Sequence, residues 1–140
     1  MRVYRVGHAT KTRNIAGAAF PVGPYNGLSF DQITEELERM IWAHSGPGSE
    51  NHHPAPHRCP VLRSIASAEV CGFESLEALL DWFQRYIRAL DDNQFRIWVY
   101  DVPDDLVRVG TFGQAVFVAA EATLLETSSV PLADQQLALF

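Results

Sequence analysis

Ser75 to Val102 reads SLEALLDWFQRYIRALDDNQFRIWVYDV, and the period of its apolar residues changes part-way along. Leu76, Leu79, Leu80, Phe83, Ile87 and Leu90 recur at three and four, the spacing of one helical face, and Ser75 stands where an N-cap belongs. A helix is predicted over Leu76–Leu90, stopped by Asp91 to Asn93. Phe95 to Val102 is rich in aromatic and β-branched residues and reads as a strand, closed by Pro103.

Downstream, Leu106–Val109, Gln114–Ala119 and Ala122–Glu126 read as three further short strands punctuated by Gly110 and Gly113, and the tail from Ser128 to Phe140 carries no assignment. Upstream, Arg2–His8 alternates as a first strand. Ala9 to Gly27 has little periodicity and contains Gly17, Gly23, Pro24 and Gly27, so it reads as a long loop and a candidate site wall. Ser29 and Gln32 form a capping box, with Leu28 and Ile33 as its staple. They predict a helix along Ile33, Leu37, Met40, Ile41 and His44, ended by Gly46 and Pro47. Ser45 to Pro60 is rich in proline, glycine and histidine and reads as a surface loop. Val61–Val70 follows as a short, weakly amphipathic helix.

The order is therefore strand, long loop, helices, then a cluster of strands. This predicts an α+β domain, a small mixed β-sheet with two main flanking helices, rather than a doubly wound sheet. The 140 residues fit one domain without an internal repeat or dividing linker. With 47% hydrophobic and 20% charged residues the chain is too apolar for intrinsic disorder. The net charge of −6 offers no basic stripe, so duplex nucleic acid is not an expected partner. Gly7 to Asn14 is polar, so no apolar h-region follows the first arginines, and nowhere else do 18 apolar residues run together; neither a secretory segment nor a membrane span is expected. A cytoplasmic location follows, with Cys59 and Cys71 as thiols. No Walker or dinucleotide glycine fingerprint is present.

Three positions suggest chemistry. Arg5 lies in an otherwise apolar first strand, where it must either emerge at an edge or be paired inside, and its planar fork suits a phosphate or ribose. Ser75 precedes the strongest helix; capping explains it, and a helix N-terminus also presents free N–H groups to a polar ligand. Gln114 opens an apolar strand after Gly113, and its amide can bond a hydroxyl but cannot act as a base.

In order and spacing, Tyr4-Arg5-Val6-Gly7, then Phe73-Glu74-Ser75 followed by Ala78 and Trp82-Phe83, then Asp101 to Val107 with Gln114 to Phe117 and Thr123 to Leu125, resemble the ADP-ribosyltransferase family. The resemblance covers most of the chain. It implies a split, curved sheet with its cleft between the first strand, the Gly23-Pro24-Tyr25 loop and the start of the Ser75 helix. It implies NAD as cofactor and transfer of ADP-ribose to a macromolecular acceptor. Arg5, Ser75 and Gln114 would then be the catalytic positions, and Arg5, Val6, His8, Tyr25 and Ser75 the cofactor-binding ones, with Tyr25 stacking on the nicotinamide ring. The family's late strand opens with a catalytic glutamate where this chain has Gln114, which removes an electrostatic contribution to the reaction. Either Glu121 or Glu126 substitutes for it, or the domain binds without turnover.

Two rival readings remain. His52, His53, His57 and Cys59 are residue types that zinc accepts. Their spacing lacks a second paired half, and prolines interleave them, so a solvated polar loop is expected and zinc is not. The other rival is a non-catalytic acidic interaction or inhibitory protein of microbial or viral origin, engaging a basic protein partner through surface charge.

Overall fold

In the computed structural model, which describes residues 1–29, 32–44, 59, 62 and 64–132, the strand β1 (Arg2–His8) is the pivot. It lies inside a six-stranded sheet with β4 (Glu69–Phe73) on one side and β5 (Phe95–Asp101) on the other. Beyond β4 come β7 (Gln114–Val118) and then β6 (Val107–Val109); beyond β5 lies β8 (Thr123–Ser129). Each of these pairings is antiparallel, which corrects the expected mixed sheet. The reason lies in the connection over β1. Helices α2 (Leu76–Trp82) and α3 (Ile87–Asp92) carry the chain from β4 to β5. These two strands run parallel, but β1 is inserted between them in the opposite sense.

Alternation along the strands feeds two cores, because successive side chains point to opposite faces. Val6, Phe95, Ile97 and Val99 face the helices and meet Leu37, Met40, Leu79 and Leu90. Val3, Tyr100, Ala115 and Phe117 face the other way and meet Ile15 and Phe20. Those two residues belong to a hairpin of β2 (Thr12–Ile15) and β3 (Ala18–Pro21). The stretch expected as loop therefore supplies a third layer. Its two-residue turn has Ala16 at φ 50° and Gly17 at φ 92°, both left-handed, as a type I′ hairpin turn requires. Asn14 Oδ1 accepts a hydrogen bond from Gly17 N at 2.8 Å.

Helix boundaries also differ from expectation. The first helix, α1, spans Glu35–His44 rather than starting at Ser29, because Pro24–Ser29 forms a 3-10 turn and Thr34 takes over the capping. Thr34 Oγ1 accepts from Leu37 N at 3.2 Å, and Asn93 Nδ2 donates to the same hydroxyl at 3.0 Å. Ser64 to Ala68 contains no helix, and Glu69 starts β4; the expected Val61–Val70 helix is overruled by the pairing of β4 with β7. Leu76–Leu90 is split, with α2 ending at Trp82 and a turn separating it from α3, so among the described residues three helices flank the sheet. The break lets Phe83 and Tyr86 both turn their rings to His44.

Candidate functional site

The sheet is continuous in order but loosely joined at its middle. β1 registers with all seven residues of β5, whereas with β4 it registers only at Tyr4 opposite Phe73. Gly72 allows that one close approach, since a Cβ there would lie 2.6 Å from the carbonyl oxygen of Tyr4. Beyond it the strands part, and the gap opens into a cleft of about 310 Å³.

Arg5 lines this gap. Its side chain is buried, with Nη1 donating to Cys71 O at 2.6 Å and Nη2 to Pro21 O at 3.4 Å. The Phe20 ring centroid lies 5.5 Å from the guanidinium carbon. Nε, fully buried, has no hydrogen-bond partner among the described residues. Burial lowers the pKa of Arg5 from its ordinary value, with Cys71 and Tyr100 opposing that effect only in part. Gly23 makes room for this arrangement, because a Cβ at that position would come within 2.9 Å of Arg5 Nη2.

The aromatic wall is held by its own hydrogen bonds. Trp82 Nε1 donates to the hydroxyl of Tyr25, which is also hydrogen-bonded to His44 Nδ1 at 3.0 Å. Burial pushes the Tyr25 pKa far above its ordinary value, so it remains a neutral phenol. The Tyr25 ring stacks on Phe83 with centroids 6.3 Å apart. Neither His44 nor Trp82 was singled out from the sequence as a site residue; both are spaced as core residues on their helices, and only packing brings them to one cleft.

Of the positions singled out, Arg5, Val6, Tyr25 and Gln114 line the cleft together. Gln114 is buried and lies opposite Phe73 on the neighbouring strand. Ser75 is engaged elsewhere: its hydroxyl accepts from Ala78 N at 3.1 Å, capping α2, and it is not among the cleft-lining residues. His8 is buried at the far end of β1, where Nδ1 accepts from Thr10 N and Lys11 N at 3.1 and 3.0 Å. Neither Glu121 nor Glu126 lines the cleft; both are exposed. The carboxylate that does line it, Glu69, forms a two-pronged pair with Arg108 at 2.9 and 3.3 Å.

His52, His53 and His57 lie outside the described residues. Cys59 is buried beside Leu62 and Val116, and the described residues contain no cluster of three or more metal-ligating side chains. No described helix is long and apolar enough to cross a membrane.

Residues 1–131 match the family model described as Bacteriophage T4 Y00F protein, so the match takes in the whole sheet, the three helices and the cleft. The chain belongs to the Bacteriophage T4 Y00F protein family. No curated protein matches it, and no solved structure does. Within this family member, the cleft brings the buried guanidinium of Arg5 and an aromatic wall of Tyr25, Trp82 and Phe83 to one cavity.

Proposed function

We propose that the cleft binds NAD on an ADP-ribosyltransferase-like plan, with binding retained and transfer of ADP-ribose slow. One observation carries the reading: Arg5 is buried where β1 and β4 part, with an Nε–H that no described residue satisfies. A buried guanidinium held by two carbonyl oxygens and no described carboxylate keeps an uncompensated charge, so an anionic group in the cleft gives a free-energy return that the described residues do not supply. The remaining lining fits the same ligand. Tyr25 adds an aromatic ring to the lining, and Gln114 a polar amide.

The volume is near the lower end of small-molecule pockets, which seats one ring with its sugar and leaves the rest of a dinucleotide toward the mouth. Bound NAD would supply the ADP-ribosyl group. What the described residues lack is an uncommitted carboxylate in the cleft, since Glu69 is paired with Arg108 and Gln114 is neutral. A macromolecular acceptor would therefore be modified slowly.

Calorimetric titration with NAD tests the reading, with circular dichroism to verify the fold of each variant. Saturable binding by the wild type, lost in Arg5→Ala, is expected. In the NAD-binding protein Gln114→Glu should raise nicotinamide release by on the order of 100-fold. Absence of heat at millimolar NAD sinks the proposal. It would favour an acidic interaction protein, a reading supported by β8, whose seven residues are all exposed at the sheet edge and include Leu124 and Leu125.

A further inference from the structure

The hairpin layer adds a charged residue to the cleft. Arg13 on β2 lies opposite Phe20 on β3, and directly opposed residues of an antiparallel pair share a face. Phe20 and Ile15 are buried against the sheet, so Arg13 is on the sheet-facing side of the hairpin, not its outer side. It lines the same cleft as Arg5 and is exposed at the mouth while Arg5 is buried. No described carboxylate pairs with either guanidinium.

The charge balance of the cleft is then unlike that of the molecule. The chain carries −6 overall, yet among the described residues the cleft is lined by two arginines without a carboxylate partner and by one carboxylate that Arg108 neutralises. Two like charges facing one cavity repel each other, and Arg13 contributes to lowering the pKa of Arg5. A ligand with two adjacent negative charges relieves that repulsion and gives each fork acceptors. One negative charge leaves one guanidinium unmatched.

We infer that Arg13 and Arg5 together form a two-cation seat for a pyrophosphate group, with Arg13 selecting ligands by charge at the mouth. This rests on the cleft being the ligand site, but not on the ligand being NAD. The hairpin is a firm support for the outer arginine. Its base is tied to the chain by Lys11 O accepting from Val22 N at 3.0 Å and by Val22 O accepting from His8 N at 2.8 Å.

The test is titration of wild type, Arg13→Ala and Arg13→Lys with inorganic pyrophosphate and with NAD, each at low and high NaCl. Both ligands are expected to bind the wild type, to weaken about tenfold in Arg13→Ala, and to recover much of that in Arg13→Lys. The salt dependence of Kd should be smaller in Arg13→Ala than in the wild type. Arg13 is exposed, so the variants should keep the wild-type Tm. Pyrophosphate binding that depends on Arg13, without NAD binding, upholds the seat and removes the NAD reading. NAD binding equal in wild type and Arg13→Ala removes the seat and leaves the NAD reading standing. No binding of either ligand overturns both.

Discussion

Arg5 is matched to two carbonyl oxygens and to no described carboxylate, an arrangement that lowers stability unless a ligand completes it. That Arg5 was out of place was legible in the sequence, because a guanidinium in an apolar strand needs a partner. What partners it was not legible, since Pro21 O and Cys71 O lie 16 and 66 residues away. His8 shows the same limit. The family resemblance placed it among the cofactor-binding residues, whereas the structure has Nδ1 accepting from two backbone N–H groups. Burial, and then the charge of Lys11, lower its pKa below the ordinary 6.5. The sign follows directly. The unfolded chain takes up a proton at His8 before the folded one does, so stability falls as pH drops below about 6.5 and levels off once the folded histidine is also protonated. One such group gives a slope of at most about 1.4 kcal/mol per pH unit. Urea unfolding at pH 7 and at points down to 5 should show a flatter dependence for His8→Asn, which keeps an acceptor but does not titrate. Equal slopes would remove His8 from the account.

Among the elements, β1 and β5 follow the boundaries expected to within a residue, and β7 and β8 begin within one residue of expectation. In β5 and β7 the β-branched and aromatic runs lie next to Pro103 and Gly113, so the local signal and the tertiary role agree. The hairpin was missed because its turn is Ala16-Gly17; an Asn or Gly at the first position is the stronger signal for two left-handed residues. β4 was missed because Val70 and Phe73 serve opposite cores, which leaves no clean alternation over five residues. The central joint of the sheet depends on Gly72. Gly72→Ala places a Cβ against backbone, not against a movable side chain, so the β1–β4 contact must shift. A loss of about 2–3 kcal/mol is expected from equilibrium urea unfolding, the upper range for overpacking. Unchanged stability would mean that the two strands are free to part even at Tyr4 and Phe73.

For the whole molecule, the order of the sheet predicts an order of opening. β1 is flanked by strands on both sides and covered by helices and hairpin, while every residue of β8 is exposed and its register with β5 slips between Val99 and Tyr100. Hydrogen exchange should be slowest in β1 and β5 and clearly faster in the β8 amides; uniform protection across the sheet would contradict this ranking. The sequence by itself determined the α+β class, a strand at Arg2–His8 with an arginine inside it, the apolar faces of the helices, and the acidic balance. These are local properties: periods of two and 3.6, turn residues, and counts of charge. The tertiary structure alone decided that β1 enters between two parallel strands, that it parts from β4 after one registered pair, and that Tyr25, His44 and Trp82 share one hydrogen-bonded wall. It also decided that Arg13 comes to the mouth of a cleft floored by Arg5. Each of those depends on contacts between residues far apart in the chain, whose free energy outweighs local preference and leaves no periodic trace in the sequence.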